Sequence, residues 1–114
     1  MEDALITLLE TFNYPVIRQG SLAPTQNYPD TFFTFWNNSE DGESYYDNDV
    51  AGVSYDFYVN VYSKNPTLTY SLIDDARALL KKNGWIIVQR GFDIASDEPT
   101  HTGRGMEVEF LKFV

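Results

Sequence analysis

The chain has 114 residues, of which 43% are hydrophobic and 16% aromatic, and its formal net charge is −9. This length and composition predict a single folded domain over residues 1–114 and argue against intrinsic disorder. The absence of cysteine excludes disulfides, thiolate nucleophiles and Cys-ligated metal centres. The acidic balance argues against specific nucleic-acid binding, which needs a basic surface.

The negative charge is concentrated in the first half of the chain. Residues 1–56 contain ten acidic residues against Arg18 alone, whereas residues 57–114 contain seven of each sign. Six acidic residues and no basic residue lie between Glu40 and Asp56. The acidic N-terminus and the lack of a long apolar run predict neither a targeting signal nor a membrane span.

The first part of the chain predicts a short helix followed by strands. Apolar residues recur at helical spacing over residues 3–12, and Pro15 ends the helix. Residues 16–19 fit a short strand, and the aromatic and β-branched run 31–36 predicts a strong one. The polar and acidic residues 37–49 predict a long hairpin connection.

The longest predicted strand covers residues 50–62 and alternates strictly between two faces. One face is apolar and comprises Val53, Tyr55, Phe57, Val59 and Val61. The other is mixed and comprises Ser54, Asp56, Tyr58, Asn60 and Tyr62. This period of two indicates a half-buried antiparallel strand whose mixed face is either wet or in contact with a partner.

The second half predicts a helix and two strands. Asn65 and Pro66 are typical of a helix start, the apolar stripe continues to about Lys82, and Gly84 follows as a stop signal. The stripe comprises Leu68, Leu72, Ile73, Ala76, Leu79 and Leu80. Next come a strand from residue 85 that continues to 96 after a bulge at Gly91, a loop over 97–105 and a final strand over 106–113.

These elements predict an α+β fold. We expect a mostly antiparallel sheet, with one long amphipathic helix packed on a face and a short N-terminal helix.

No residue pattern predicts an enzyme, a cofactor or a metal site. His101 is the single histidine and is expected to be an exposed loop residue. Asp47-Asn48-Asp49 matches the EF-hand spacing poorly, and Gly103-Arg104-Gly105 lacks the third glycine of a phosphate loop. Glu107 and Glu109 share a strand face, where a solvated or interface position is favoured over a glycosidase pair.

The order of elements resembles the small tail-terminator and tail-completion proteins of long-tailed phages and prophages. The resemblance covers nearly the whole chain. It rests on Asn13-Tyr14-Pro15-Val16, the strand Phe32-Phe33-Thr34-Phe35-Trp36-Asn37, the acidic run with Tyr46-Asp47-Asn48, Tyr62-Ser63-Lys64-Asn65-Pro66, Asn83-Gly84-Trp85, Asp93, and Met106-Glu107-Val108-Glu109-Phe110.

The resemblance implies a virion structural protein, assembled in the bacterial host cytoplasm and placed at the tail end or neck. Such proteins form a homo-oligomeric ring, commonly of six subunits, that caps the tail tube and joins the tail to the head, with DNA passing through the ring. Tail-tube and neck proteins are the implied partners. The expected contact residues are Glu40, Asp41, Glu43, Tyr45, Tyr46, Asp47, Asp49, Tyr58, Tyr62, Lys64 and Arg104. Lys64 and Arg104 of one subunit are expected to pair with the carboxylates of its neighbour.

Three other classes remain open at this point. One is a different neck or head–tail connector protein, and another is an acidic monomeric adaptor that binds a basic protein. A small enzyme would require a pocket around His101, Asp97 or Asp93.

Overall fold

The computed structural model describes residues 2–18, 29–46, 49–96 and 100–113, and for residues 40–46, 49–51 and 113 it defines the backbone alone. The elements in chain order are α1 (Glu2–Glu10), β1 (Val16–Arg18), β2 (Thr31–Tyr46), β3 (Asp49–Ser63), α2 (Pro66–Lys82), β4 (Ile86–Ile94) and β5 (Thr102–Phe113). They form a five-stranded sheet in the order β1-β2-β3-β5-β4, and both helices pack on one face of it. The fold is therefore α+β, as predicted, although α2 is a helix of modest length at 17 residues.

The sheet is antiparallel except at one edge. The short strand β1 runs parallel to β2, with Val16 opposite Phe33. β3 is the central strand and pairs with β2 on one side and β5 on the other. The alternation predicted for β3 is confirmed, because Phe57, Val59 and Val61 are fully buried beneath the helices.

The core lies between the helices and this face of the sheet. Its buried members are Leu5 and Leu9 of α1, Phe33 and Phe35 of β2, Phe57, Val59 and Val61 of β3, Leu72, Ile73, Ala76 and Leu80 of α2, Trp85, and Met106 and Val108 of β5. Burial of this apolar surface is the main force that holds the two layers together.

The helix α1 ends earlier than the spacing predicts. Its last turn tightens, because the amides of Thr11, Phe12 and Asn13 each bond to the carbonyl three residues earlier. Asn13 then adopts a left-handed conformation, with φ of 65°, which stops the helix before Pro15. Phe12 still packs on the core from outside the helix, and this explains why the apolar pattern continues to residue 12.

Both predicted ends of α2 are confirmed. The side chain of Asn65 accepts a hydrogen bond from the amide of Thr67 at 3.1 Å. At the other end the amides of Gly84 and Trp85 bond to the carbonyls of Lys81 and Leu80, which is a Schellman motif. Gly84 supplies the left-handed residue, with φ of 91°.

The prediction of a hairpin connection over residues 37–49 is wrong. β2 continues to Tyr46, and β3 begins at Asp49. The pairing runs without a break in the ladder except for a one-residue bulge at Asn38, between the pairs Asn37↔Phe57 and Ser39↔Asp56. The acidic residues therefore lie on strands, and Asp47 and Asn48 lie outside the described residues.

The prediction of a loop over residues 97–105 is also wrong in part. β5 begins at Thr102, four residues before the predicted start at residue 106. β4 ends at Ile94 rather than residue 96, and the predicted bulge near Gly91 is confirmed by a shift in pairing between Gln89 and Phe92. Residues 97–99 lie outside the described residues.

Candidate functional site

The candidate site is the sheet face that points away from the helices, which we call the open face. No described helix covers it. Its residues come from four strands, namely Phe32, Thr34 and Trp36 of β2, Ser54, Asp56, Tyr58, Asn60 and Tyr62 of β3, Ile86, Gln89, Phe92 and Ile94 of β4, and Gly103, Gly105, Glu107 and Glu109 of β5. It therefore contains both tyrosines that sequence reasoning selected, and both are half-buried.

Aromatic side chains form a row across the open face. The ring centroids of Trp36 and Tyr58 are 5.6 Å apart, and those of Tyr58 and Phe92 are 6.2 Å apart in an edge-to-face arrangement. Trp36 is 49% exposed at one end of the row. A second pair, Phe32 and Tyr62, stacks at 5.3 Å. These contacts give the face a rigid apolar surface.

Two glycines of β5 allow this packing. A Cβ at Gly105 would lie 2.9 Å from the ring of Phe92 and would clash with the side-chain oxygen of Asn60. A Cβ at Gly103 would lie 2.8 Å from the ring of Tyr62 and 2.7 Å from Ile94. The Gly-x-Gly pattern therefore serves the close approach of side chains from neighbouring strands.

Three carboxylates lie beside the aromatic row. Asp56 is directly opposite Glu109, and Glu107 is opposite Tyr58, the next inward position on the same face of β3. The amide of Asn38 donates to Asp56 Oδ2 at 2.9 Å, and the hydroxyl of Ser54 donates to Glu109 Oε1 at 2.8 Å. No ion pair joins these carboxylates to a cation within the described part of the chain.

The carboxyl groups of Glu107 and Asp56 lie close enough to share a proton. Asp56 Oδ1 is buried and accepts no hydrogen bond from the described residues. A hydrogen bond to Asp56, partial burial, and the negative charges of Asp56 and Glu109 together raise the pKa of Glu107 to about 6. A proton on Glu107 supplies the donor that the Asp56 carboxylate needs. This group of Asp56, Glu107 and Glu109 is called the acid cluster below.

The predicted acidic contact residues lie on β2 and β3, farther along the ladder than the acid cluster. The backbone pairs Glu40 with Tyr55, Asp41 with Ser54, Glu43 with Gly52, Tyr45 with Val50 and Tyr46 with Asp49. β4 begins at Ile86, opposite Glu109, which pairs with Asp56, so residues 40–46 and 49–55 extend beyond β4, and β5 accompanies β3 as far as Gly52. We call these residues the hairpin arm. The molecule is correspondingly elongated, measuring 53 × 29 × 22 Å.

Lys64 and Arg104 are the two cations expected to pair with carboxylates of a neighbouring subunit. Both form ion pairs within the chain instead. Lys64 Nζ lies 3.1 Å from a carboxylate oxygen of Asp30. Arg104 lies on the helix side of the sheet, where it donates to Asp93 Oδ1 at 2.9 Å and stacks on the ring of Tyr70 at 4.3 Å. The open face therefore does not include Arg104.

The prediction that His101 is exposed is wrong. Its side chain is buried, with Nε2 2.8 Å from the carbonyl oxygen of Pro29 and Nδ1 3.0 Å from the hydroxyl of Thr100. Its ring also meets Phe32 edge-on. His101 therefore joins the start of β2 to the start of β5 as a structural residue.

Sequence reasoning did not select Trp36, Phe92 or Asp56 as site residues. The alternation of β3 does place Asp56 on the face of Tyr58, so that signal was available. The partners on β2 and β4 depend on strand order and register, which no local pattern contains.

A groove of about 460 Å³ lies elsewhere, between α1 and the end of α2, and is lined by Asp3, Ala4, Thr7, Leu8, Asn83, Trp85 and Phe110. Across the described ranges, no group of three or more His, Asp or Glu side chains is arranged to hold a metal ion. No helix among those residues is long and apolar enough to cross a membrane.

Comparison of the sequence with protein-family models and with curated proteins found no match in either.

Proposed function

We propose that this chain is a phage tail structural protein, the terminator that forms a ring on the tail tube and joins the tail to the head. In this role the protein works by contact, without catalysis and without a cofactor. Tail-tube and neck proteins are its partners, and the virion is its location. The proposal starts from the resemblance in element order and is supported by the geometry of the sheet.

The hairpin arm is the observation that carries the proposal. β2 and β3 remain paired out to Tyr46 and Asp49, whereas β5 stops opposite Gly52 and β4 stops before it. An extended hairpin arm with several carboxylates can reach a neighbouring subunit or the end of a tube. A carboxylate-rich arm at the lumen would also repel passing DNA.

The test uses the phage or prophage that carries the gene. Deleting the gene should yield headless tails of irregular length, and the wild-type gene supplied in trans should restore tails of uniform length joined to heads. Electron microscopy measures both properties. A deletion mutant with normal virions would overturn the proposal, and normal tails with unjoined heads would favour the connector alternative.

Charge reversal tests the arm itself. The double variant Asp41→Lys/Glu43→Lys should fail to restore tail joining, because it reverses the charge of one strand of the arm. Asp3→Lys/Glu10→Lys makes the same change in charge at exposed positions of α1 and should complement normally. If both variants restore tail joining equally well, the hairpin arm does not take part in the contact.

An adaptor that binds a basic protein is the second candidate, favoured by the carboxylates of the acid cluster, which form no ion pair with the described residues. It predicts a stable monomer whose binding to a basic partner weakens steeply with salt. Sedimentation of the protein with and without tail tubes separates the two, because only a terminator sediments with the tubes.

A further inference from the structure

Within the described residues, ion pairing leaves four basic residues for an external partner, namely Lys81, Lys82, Arg90 and Lys112. Four of the eight basic residues in the sequence, Arg18, Lys64, Arg77 and Arg104, form ion pairs inside the chain. Lys81 and Lys82 are exposed, and neither has an ion-pair partner among the described residues. They are also the only adjacent pair of basic residues in the sequence.

These lysines occupy a fixed position on the helix side of the molecule. They form the last turn of α2, which the Schellman motif at Gly84 holds in place. The nearby Asp74 is neutralised by Arg77 at 2.8 Å, so it does not compensate them. The exposed Asp75 lies almost two turns earlier, and Tyr70, half exposed, adds an aromatic surface to the same helix.

The open face has the complementary chemistry on the opposite side of the sheet. The acid cluster offers three carboxylates without a described cation, beside the exposed edge of Trp36. The protomer is thus a two-layer body with a carboxylate-bearing sheet on one side and a lysine-bearing helix end on the other. A group of carboxylates on one side and a local pair of lysines on the other suit a head-to-tail contact between identical copies, which closes into a ring when the rotation allows.

We propose that the open face of one copy docks the C-terminal turn of α2 of the next copy, with Lys81 and Lys82 against Asp56, Glu107 and Glu109. The contact repeats the helix-on-sheet layering of the protomer itself. It deepens the proposed function, since it rests on the ring and specifies which surfaces build it. A contact of this kind weakens as salt rises, because exposed charges at its rim are screened.

Two charge variants test the contact. Glu107→Lys/Glu109→Lys makes the open face basic, and Lys81→Glu/Lys82→Glu makes the helix end acidic. Each variant alone brings like charges together and should weaken self-association by about tenfold or more, measured by sedimentation velocity over a range of concentrations. Circular dichroism and thermal unfolding establish that each variant is folded.

The mixture of the two variants is the decisive sample. The basic open face of the first then meets the acidic helix end of the second, and the acidic open face of the second meets the basic helix end of the first. An alternating ring of even number should therefore form from two variants that do not assemble separately. Arg90→Glu/Lys112→Glu is the matched control, because both side chains are exposed and neither has an ion-pair partner among the described residues.

The outcomes separate this inference from the proposed function. A wild-type ring that all the variants also form would overturn the docking contact and leave the terminator proposal standing. A wild type that stays monomeric both alone and on tail tubes would overturn both. If the open-face variant does not fold, the surface variant Lys81→Gln/Lys82→Gln provides the test by itself. Self-association of this variant as strong as that of the wild type would contradict the contact.

Discussion

Asp56 and Glu109 are direct cross-strand partners, so two carboxylates face each other across the β3–β5 ladder without an intervening cation in the described chain. Like charges at opposed positions destabilise a sheet. Hydrogen bonds from Asn38 and Ser54 offset part of this cost. Below about pH 6 a proton on Glu107 relieves part of the remaining repulsion, and this makes the sheet sensitive to pH.

The first prediction is that stability falls as the pH rises through about 6, the raised pKa of Glu107, whose ordinary value is 4.5. The folded protein holds this proton more tightly than the unfolded chain, so the stabilisation is full below 4.5 and is lost as Glu107 ionises. Asp56 and Glu109 face Glu107, and its register partner on β4, Gln89, is neutral.

Thermal unfolding from pH 4.5 to 7.5 measures this dependence, bracketing the pKa shift of Glu107. Glu107→Gln keeps a donor for Asp56 without a titrating group, so its midpoint should vary less than that of the wild type. Glu10→Gln, on the exposed side of α1, should retain the wild-type profile. Parallel profiles for Glu107→Gln and the wild type would contradict the shared proton.

The second prediction concerns the glycines beneath the aromatic row. Gly105→Ala should lower the free energy of unfolding by about 1–3 kcal/mol, because its methyl group meets Phe92 and Asn60. Gly91→Ala should cost less, since its methyl group meets the guanidinium of Arg104, at the end of a long side chain that can shift more easily than the Phe92 ring. Chemical denaturation compares the two, and an equal loss would show that close packing over Gly105 does not matter.

The third prediction separates the two faces of the sheet. Phe57→Ala should cost about 3–5 kcal/mol, because this fully buried ring packs against Phe35 and Trp85. Trp36→Ala removes a ring that is 49% exposed and should cost much less stability. If the open face is an interface, Trp36→Ala should nonetheless weaken self-association in sedimentation, and unchanged association would exclude Trp36 from the contact.

The fourth prediction concerns the start of α2. Asn65→Ala removes the acceptor for the amide of Thr67 and should cost about 1 kcal/mol. Asn65→Asp retains a capping oxygen and should be close to the wild type in the same denaturation experiment. A loss of stability in Asn65→Asp equal to that in Asn65→Ala would contradict the capping role.

The sequence predicted those elements whose signals are local. The alternation in β3, the cap residues of α2 and the stop at Gly84 each depend on neighbours a few residues away. The hairpin arm escaped prediction because Asp, Asn and Gly are rare in strands. Pairing with β3, a strong strand, outweighs that weak preference, since the ladder fixes the conformation of both partners.

The candidate site depends on contacts between distant residues, and these explain the other errors. His101 is buried by the carbonyl of Pro29, which is 72 residues away in the chain. The ion pairs of Arg104 and Lys64 likewise follow from strand register rather than from spacing. Sequence reasoning found the face of Tyr58 and Tyr62 but could not place the acid cluster, because Asp56 and Glu107 meet only across the β3–β5 ladder.

Asp56 also contacts the bulge at Asn38, through a hydrogen bond from the Asn38 side chain. A bulge bends its strand and increases the local twist, so this position sets the direction in which the hairpin arm leaves the sheet. The side chain of Asn38 donates to Asp56 Oδ2, and the presence of Asp56 raises the pKa of Glu107. The Asp56 carboxylate therefore links the charge state of the open face to the direction of the hairpin arm.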